Sequence, residues 1–516
     1  MRLTTNILIF AISIFSFNNF LYGKTDKYRA SFRDDPSTTI VIGWNQVSGE
    51  NPVLYYDTKD MGLAAEKYAF NAEPSETNDA KDMANNFVRL TDLKPNTTYF
   101  FVIKDSDGTS RRLAFQTMPN TPETRLSIAA GGDSRNMRDA RTRANKLVGK
   151  LRPHFVMFGG DMTDTDSPNE WREWLDDWQN TITPEGRLTP VLPCRGNHEE
   201  SNETLIQLFD IDAEKLYYAL NFGGSLLRVY TLNSFEAPGG EQKNWLKSDF
   251  QQNDDVLFKI GQYHLPLRPH VMGKESNQEE YVHWAQLFGK HKLRLAVECD
   301  AHVAKYTWPL RPSQAADAVE GFVRDDNFGT VYIGEGCWGA PLRTANRNRV
   351  WTRNSEAFNQ FHWIFVDKNK IEVRTVKTDC ADKVIAAASK NPFEIPQNLD
   401  IWKPSNGDVV TITQHRQLEP TVNVGEGSDN LELLPKLNVE SGATGVNVSY
   451  ICTEVSDVKI KLFNMRLGEL GELNYPNQPI GKSTKFVKLD KLPPGRYVLG
   501  IRTSKKPLGR YLILKK

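Results

Sequence analysis

Two apolar runs in the middle of the chain end in the same three residues, Gly-Gly-Asp, with a helical stretch between them. RLSIAAGGD covers 125–133, the helical stretch covers 136–150, and HFVMFGGD covers 154–161. Continuous apolar strands joined by a helix are typical of a sheet that is covered on both faces. This unit predicts an α/β core in the middle region, with an aspartate placed at the end of each strand.

Five short polar segments follow apolar runs in the same region. They are GGDSR (131–135), GGDMTD (159–164), GNHE (196–199), QYHLP (262–266) and CDAH (299–302). Open α/β sheets bind ligands beyond the carboxyl ends of their strands. Carboxylate oxygens and imidazole nitrogens together suit Mn, Fe, Zn or Mg. We therefore expect the following side chains to converge on one rim: Asp133, Asp161, Asn197, His264, Asp300 and His302.

Each segment taken alone also has a structural interpretation. An aspartate after Gly-Gly often caps a helix or a turn. A histidine in an apolar strand, such as His264, is commonly a buried residue with its hydrogen bonds satisfied. The occurrence of all five segments in order, each at an element boundary, favours a common site.

Composition narrows the function classes. The chain of 516 residues carries 64 Lys+Arg and 64 Asp+Glu, so no overall charge draws it to nucleic acid or to an anionic membrane. No stretch is long and apolar enough to predict a transmembrane helix. The five cysteines include no CxxC pair, so they indicate no disulfide framework, although one bridge is compatible with an oxidising compartment.

The chain divides into several regions by pattern. Residues 1–23 have a short positive start, an apolar run and small residues near Gly23, which predicts a secretory signal peptide. Residues 24–119 are rich in β-branched and aromatic residues and predict a β-sandwich. Residues 120–416 form the α/β region, 417–437 predict a linker, and 438–516 return to short strands.

Specific segments resemble known families. LTDLKPNTTYFFVI resembles the fibronectin type III domain that precedes catalysis in larger acid phosphatases. The order of the five polar segments resembles the calcineurin-like metallophosphoesterases. YYALNFGGSLLRVYTLNS and GEQKNWLKSDF are similar to the purple acid phosphatases. The resemblance covers about 30–415 and implies a four-layer αββα sandwich, flanked here by β-sandwich domains at both ends.

The resemblance also implies a site with two divalent metal ions, Mn, Fe or Zn. Asp133 and His302 would hold the first ion, and Asp161 would bridge both. The second ion would be held by Asn197, His264 and Asp300.

Three further residues are predicted to act on the substrate. His198 is the candidate general acid. His270 matches an outer-sphere histidine of the purple acid phosphatases, with a surface loop residue as the alternative. Arg135 would either clamp a phosphate oxygen or pair with a nearby carboxylate.

Three positions depart from the families. Asp164 stands where the purple enzymes carry a tyrosine, so a purple ferric centre is not expected. Arg135 replaces a histidine ligand of the wider superfamily and cannot bind a metal. Asp300 replaces an imidazole, which favours Mn or Mg over Zn if it is a ligand at all.

The sequence thus predicts a secreted, metal-dependent phosphoesterase that hydrolyses small phosphomonoesters by attack of a hydroxide generated between two cations. The alternatives are a phosphodiesterase or nucleotidase, and a surface binding protein with a degraded metal site. FNMRLG (463–468), LPPGRY (492–497) and the basic last strand resemble the sorting domain of type IX secretion cargo. That resemblance implies attachment to the outer surface, and the alternative is an ordinary accessory β-sandwich.

Overall fold

The computed structural model describes most of the chain as two compact units, one ending at Gln414 and the other beginning after it. The predicted signal peptide (1–23) and nearly all of the predicted linker (417–437) lie outside the described residues. The described ranges are 24–315, 317–414, 437–442, 445–452, 455–464, 469–479, 481–490, 492–503 and 507–515.

The first unit begins with an antiparallel β-sandwich, as its β-branched and aromatic composition predicts. One sheet has the order β1-β2-β6-β5; the other has the order β4-β3-β7-β8, with β9 also paired to β7. The strands are β1 (Thr25–Ser31), β2 (Ile40–Gln46), β3 (Val53–Asp57), β4 (Phe70–Ala72), β5 (Glu76–Asn78), β6 (Asn85–Leu90), β7 (Thr98–Asp105), β8 (Gly108–Thr109) and β9 (Leu113–Gln116).

The α/β region follows and contains two mixed sheets and a separate antiparallel pair, β18-β19. Its strands are β10 (Leu126–Gly131), β11 (Phe155–Phe158), β12 (Val191–Pro193), β13 (Tyr218–Phe222), β14 (Leu227–Thr231), β15 (Phe258–Gln262), β16 (Leu293–Val297), β17 (Ala304–Thr307), β18 (Leu310–Pro312), β19 (Phe322–Arg324), β20 (Val331–Gly334), β21 (Thr352–Glu356), β22 (Gln360–Asp367), β23 (Lys370–Lys377) and β24 (Val410–Thr413). The helices are α1 (Arg138–Leu151), α2 (Pro168–Trp178), α3 (Asn202–Phe209), α4 (Gly240–Gln252), α5 (Gln278–Glu280), which continues through a π-helical turn (Tyr281–Ala285), and α6 (Gln286–His291).

The two sheets pack face to face, with helices on both outer surfaces. The first has the order β12-β11-β10-β22-β23-β24 and the second β13-β14-β15-β16-β20-β17-β21. Ile128 of β10 and Ile260 of β15 share the core between the sheets. Ala129 of β10 packs instead with residues of α1 and α2. Ala296 of β16 packs with residues of α4 and α6. The alternation of strand side chains therefore builds the predicted four-layer αββα sandwich, which is confirmed.

Local signals explain where helix α2 begins and which face it buries. The hydroxyl of Ser167 accepts from the backbone of Glu170, and Pro168 occupies the first helical turn. Trp171, Trp174 and Trp178 are buried on one side of the helix, as their helical spacing predicts.

The β-sandwich and the α/β region are joined by buried polar contacts. Arg29 of β1 donates from Nε to the carbonyl of Leu208 over 2.6 Å, and the Ser31 hydroxyl donates to the carbonyl of Phe209 over 2.5 Å. Both carbonyls lie in the last turn of α3, where helix carbonyls lack intrahelical partners. Residues of the β-sandwich therefore supply the hydrogen-bond donors that the last carbonyls of α3 lack within the helix.

The second unit contains two antiparallel sheets, of order β25-β26-β29 and β28-β27-β30-β31. Val448, Ile460 and Leu499 belong to the core between them. Part of the FNMRLG segment lies outside the described residues, and its role in secretion stays a prediction. The strands are β25 (Leu437–Gly442), β26 (Gly445–Cys452), β27 (Ser456–Asn464), β28 (Glu469–Gln478), β29 (Gly481–Lys488), β30 (Gly495–Thr503) and β31 (Pro507–Lys515).

In the part of the chain that the structure describes, every helix is too short or too polar to cross a lipid bilayer. Four cysteine side chains are described, and all four are free thiols: Cys194, Cys299, Cys337 and Cys380.

Candidate metal centre

Asp133 and Asp161 follow the adjacent parallel strands β10 and β11, so their side chains emerge at the same sheet edge. Both residues adopt left-handed backbone conformations, with φ of 60° and 54°. The backbone N–H of Asp133 donates to the carbonyl of Gly160 over 2.9 Å, which ties the two turns together. Gly132 allows this approach, because a Cβ there would lie 3.1 Å from the backbone of Gly159.

Asp133, Asp161 and His302 converge in a buried cluster, with one potential ligand atom of each within 4.8 Å of the others. His302 Nε2 lies 3.2 Å from Asp133 Oδ1. His302 Nδ1 donates to the carbonyl of Pro341 over 2.8 Å, which leaves Nε2 unprotonated in the neutral ring and facing the carboxylates. Among the described residues, this buried Nε2 has no hydrogen-bond partner.

Two glycines border the cluster so closely that a side chain at either position would clash with a carboxylate. A Cβ on Gly336 would lie 2.2 Å from Asp133 Oδ2, and a Cβ on Gly196 would lie 2.2 Å from Asp161 Oδ1. Gly336 also has a φ of +88°, which favours glycine. The carboxylates are therefore held against bare backbone.

Asn197 and Asp300 lie around His264, which in turn lies next to Asp161. His264 Nε2 is 3.4 Å from Asp161 Oδ1 and 3.1 Å from Asn197 Oδ1. It is 3.9 Å from Asp300 Oδ1. His264 Nδ1 lies 2.8 Å from the carbonyl of Gly159, which orients the ring. The structure thus brings together all six residues predicted as ligands, although their binding of metal stays a prediction.

Asp300 has a lysine as its cationic partner. Lys274 Nζ donates to Asp300 Oδ1 over 2.6 Å. The backbone N–H of Asp300 donates to both carboxylate oxygens of Asp133, over 3.1 and 3.0 Å. Sequence reasoning missed Lys274, because this lysine lies in a polar loop without a motif.

Arg135 pairs with carboxylates in the structure. Its Nε donates to Asp161 Oδ2 over 3.1 Å, and its Nη1 donates to Asp164 Oδ1 over 2.6 Å. Of the two predicted roles, the structure therefore displays the carboxylate pairing. Asp164 faces this guanidinium, so its side chain is engaged by Arg135.

His198 lies beside the cluster and is partly exposed. Its Nδ1 lies 2.5 Å from the carbonyl oxygen of Asp164, which can only accept, so Nδ1 carries the hydrogen in this contact. Arg135 Nη1, at 3.1 Å from the same nitrogen, is then not a hydrogen-bond donor to it. His198 Nε2 is 3.9 Å from Asp161 Oδ2 and is the nitrogen left for a substrate.

His270 is not placed as a substrate-binding residue needs to be. The side chain is fully buried. Its Nδ1 lies 3.2 Å from Glu335 Oε1, and its Nε2 lies 2.9 Å from Thr352 Oγ1. Both ring nitrogens are engaged inside the protein, so we do not retain the predicted outer-sphere role. It is not the alternative surface residue either.

Beneath His302 lies a buried ionic network that the sequence did not reveal. Lys305 is buried between Glu298 and Glu335. Burial opposes ionisation of Glu335, but Lys305 and His270 outweigh it and lower its pKa to about 2. The carbonyl of Glu335 accepts from the backbone of His302 over 2.6 Å, so the network fixes the backbone of a cluster residue.

Glu199 also has a role that the GNHE segment did not indicate. Its carboxylate accepts from the backbone N–H groups of Asp161, Met162 and Gly196, over 3.0, 2.8 and 2.6 Å. Burial, followed by the charge of Asp161, raises the pKa of Glu199 to about 7. The side chain thus clamps the Asp161 turn to the neighbouring loop.

The cluster has a strongly negative electrostatic potential. Burial disfavours protonation of His264, yet the carboxylates of Asp161, Asp133 and Asp300 outweigh it and raise the pKa of His264 to about 9. A site that stabilises a positive charge on a buried imidazole also stabilises a bound cation.

The donor set fits a divalent ion at one position better than at the other. Asp133, Asp161 and His302 offer two carboxylates and an unpartnered buried nitrogen, which suits Mn, Fe or Zn. At the second position His264 Nε2 contacts Asn197, and Asp300 is paired with Lys274. The first position fits a metal ion, and the second lacks a free carboxylate of its own.

The αββα sandwich with a buried carboxylate and imidazole cluster at its strand ends is the arrangement expected of a metallophosphoesterase. Comparison with known families agrees: residues 131–303 match the calcineurin-like phosphoesterase family, and residues 25–117 match the N-terminal domain of purple acid phosphatases. The chain therefore carries a purple acid phosphatase N-terminal domain followed by a calcineurin-like phosphoesterase domain, and it is a phosphoesterase.

Individual relatives are distant. An uncharacterised protein of Mycobacterium tuberculosis is 22% identical over 359 residues, which cover 58% of this chain and 67% of the relative. The purple acid phosphatase PPD1 from yellow lupin (Lupinus luteus) seeds superposes with a TM-score of 0.56 at 15% identity, over 69% of this chain and 72% of that one. The structure of PhoD gives a TM-score of 0.54 at 11% identity, over 68% and 86%. These structures share the fold.

Proposed function

We propose that this protein hydrolyses small phosphomonoesters outside the cytoplasm, with a divalent metal ion held by Asp133, Asp161 and His302. The observation that carries the proposal is the convergence of these three buried side chains on one another at the rim of a calcineurin-like domain. A divalent ion bound there would lower the pKa of a coordinated water and withdraw charge from the phosphoryl group. The second predicted ion is not required by this proposal.

The residues around the cluster have complementary tasks. Arg135, held by Asp161 and Asp164, contributes a fixed positive charge where phosphoryl oxygens would lie. His198 is oriented by the carbonyl of Asp164, and in its acid form Nε2–H would donate a proton to the departing alcohol oxygen. These tasks use only groups that already lie at the edge of the cluster.

The preference for monoesters rests on charge. A phosphomonoester carries more negative charge near neutral pH than a diester does. Arg135 and Lys274 place side-chain cations on two sides of the cluster, next to Asp161 and Asp300. Such an arrangement favours the more highly charged ester. The yellow lupin relative is named as an acid phosphatase, which is consistent with this preference.

Export and surface attachment rest on sequence patterns. The first 23 residues have the pattern of a secretory signal peptide. The C-terminal residues resemble a sorting domain and form two antiparallel sheets. A secreted or cell-surface location would expose the enzyme to small phosphorylated compounds rather than to cytoplasmic nucleic acid. Fractionating the producing cells, with detection of the cleaved N-terminus, tests this part of the proposal.

The enzymatic proposal is tested with chelator-treated protein and two chromogenic substrates, an aryl phosphate and a bis-aryl phosphodiester. Each is assayed after addition of Mn, Fe or Zn. We expect metal-dependent turnover that is faster on the monoester. Faster turnover of the diester would assign the enzyme to the phosphodiesterases. Turnover at the blank level with every metal and both substrates would contradict the proposed function.

A further inference from the structure

The two buried histidines of the cluster are held in the same way. Nδ1–H of each ring is directed at a backbone carbonyl, so Nε2 is unprotonated in the neutral ring. His302 Nε2 lies 3.2 Å from Asp133 Oδ1, and His264 Nε2 lies 3.1 Å from Asn197 Oδ1, and both of these oxygens are acceptors. Buried acceptors that face one another need a cation between them, so both positions call for a positive charge.

Asp300 distinguishes the two positions. The residue is 6% exposed, and Lys274 Nζ lies 2.6 Å from its Oδ1. A buried carboxylate needs a compensating charge, and the ammonium of Lys274 supplies it. A divalent ion bound to Asp300 would have to displace this ammonium or lie against it, and a like charge at that distance is strongly unfavourable.

Lys274 is held in place by its surroundings. Arg347 Nη1 donates to the carbonyl of Lys274 over 3.0 Å, and the backbone N–H of Lys274 donates to the carbonyl of Val271. Arg343 Nη1 donates to the carbonyl of Asp300 over 2.5 Å, so the other partner is fixed as well. The backbone on both sides of the ion pair is thus anchored.

We propose that the ammonium of Lys274 takes the place of the second cation, so that the chain binds one divalent ion, at Asp133, Asp161 and His302. The site then combines one exchangeable metal ion with one positive charge that belongs to the chain. This goes beyond the proposed function, which requires only the first ion. It also accounts for Asp300 in place of the imidazole that the calcineurin-like pattern leads one to expect.

The test is the number and environment of bound Mn²⁺ ions. Metal-free full-length protein is titrated with Mn²⁺, and bound metal is counted by elemental analysis after removal of free ions. We expect one ion per chain and the electron paramagnetic resonance spectrum of isolated Mn²⁺. Two ions per chain with an exchange-coupled spectrum would overturn the proposal.

Single variants locate the ion. Asp133→Asn should weaken Mn²⁺ binding on the order of a hundredfold or more, because it removes a ligand charge. Asp300→Asn should leave the number of bound ions at one and the dissociation constant within about threefold. A loss of bound metal in Asp300→Asn as large as in Asp133→Asn would show that Asp300 is a ligand and would overturn the proposal. Thermal unfolding confirms that each variant is folded.

A double variant tests whether the ion pair is what excludes a second metal. Lys274→Met with Asp300→His removes the ammonium and provides an imidazole, and we expect it to bind two Mn²⁺ ions. The matched control is Lys368→Met, since Lys368 forms an exposed ion pair of the same 2.6 Å length with Glu123. The control should bind one ion. A folded double variant that still binds one ion would contradict the exclusion by Lys274.

The metal count separates this inference from the proposed function. One bound ion without hydrolysis would leave the inference standing and refute the function. Two bound ions with metal-dependent hydrolysis would refute the inference and support the proposed function.

Discussion

The guanidinium of Arg135 donates from Nε to Asp161 Oδ2 over 3.1 Å, so the carboxylate at the centre of the cluster has a permanent cationic neighbour. Asp161 is fully buried, and Arg135 is largely so. The same guanidinium reaches Asp164 through Nη1. Arg135 therefore neutralises part of the negative charge of the site, and under the proposed function it would also present positive charge to an incoming phosphate.

Replacing Arg135 by Ala should have opposite effects on metal and substrate. The metal ion should bind more tightly, on the order of tenfold, because a nearby positive charge is removed. The KM for an aryl phosphate should rise, since a phosphate-facing charge is lost as well. Chelator competition and steady-state kinetics measure the two effects. Arg172→Ala is the control, because Arg172 contacts the exposed Asp82 and the carbonyl of Lys81 and no residue of the cluster. Weaker metal binding in Arg135→Ala would contradict this account.

His198→Ala should reduce turnover without removing metal. The imidazole is oriented by the carbonyl of Asp164, and its Nε2 lies near but not within the three-residue cluster. Loss of a general acid typically lowers kcat on the order of a hundredfold. The loss should be smaller on an aryl ester with a good leaving group than on an alkyl ester. His283→Ala, a change at a histidine that contacts Glu279, is the matched control. An equal loss on both esters would argue against proton donation.

Gly336→Ala tests the close packing behind Asp133. The added Cβ would lie 2.2 Å from Asp133 Oδ2, so the carboxylate must move. Metal affinity should fall on the order of a hundredfold. Gly62→Ala has a similar backbone cost, because its φ is also positive, but nothing lies within 4 Å of the new Cβ. Both variants should lose about 1–2 kcal/mol of stability from the left-handed conformation. Equal metal affinity in the two variants would contradict the clash.

His154 should make the first unit sensitive to acid. Burial, followed by the charge of Arg187, lowers the pKa of His154 to about 4 from 6.5. The backbone N–H of Ser127 donates to its Nδ1 over 2.9 Å, which requires that nitrogen to be unprotonated. Between these values the unfolded chain binds a proton that the folded chain does not. Stability contributed by neutral His154 is therefore present above about pH 6.5 and is lost as the pH falls toward 4.

The size of this effect can be measured with denaturant. From about pH 8 to about pH 5, His154 should account for about 2 kcal/mol of the loss in the free energy of unfolding. His154→Asn retains an acceptor for Ser127 but does not titrate. Over the same pH range its free energy of unfolding should therefore fall by about 2 kcal/mol less than that of the wild type. An unchanged pH dependence in His154→Asn would show that the folded protein protonates this histidine normally.

Local patterns predicted the α/β core and the cluster, whereas the four-layer arrangement was implied by the family resemblance. Apolar runs that end in Gly-Gly-Asp fix strand ends, and parallel neighbours place Asp133 and Asp161 at one edge. The spacing of Trp171, Trp174 and Trp178 likewise sufficed to predict a buried helix face. Such signals lie within a few residues of one another and can be recognised without knowledge of the fold.

The partners of those residues were not predictable in the same way. Lys274 reaches Asp300 from a loop without a motif, and Glu335 engages His270 across 65 residues of sequence. His270 matched a family position, yet its environment is set by these distant contacts. Tertiary contacts of this kind decide whether a polar residue faces the substrate or the interior.

The most direct test of the central claim compares the wild type with His302→Ala after removal of metal by a chelator. The account predicts that metal-free wild type is inactive on an aryl phosphate and regains turnover with Mn²⁺. It predicts that folded His302→Ala binds Mn²⁺ on the order of a hundredfold more weakly and regains little turnover at the same metal concentration. Hydrolysis by the metal-free wild type, or undiminished Mn²⁺ binding by His302→Ala, would contradict a metal ion held by Asp133, Asp161 and His302.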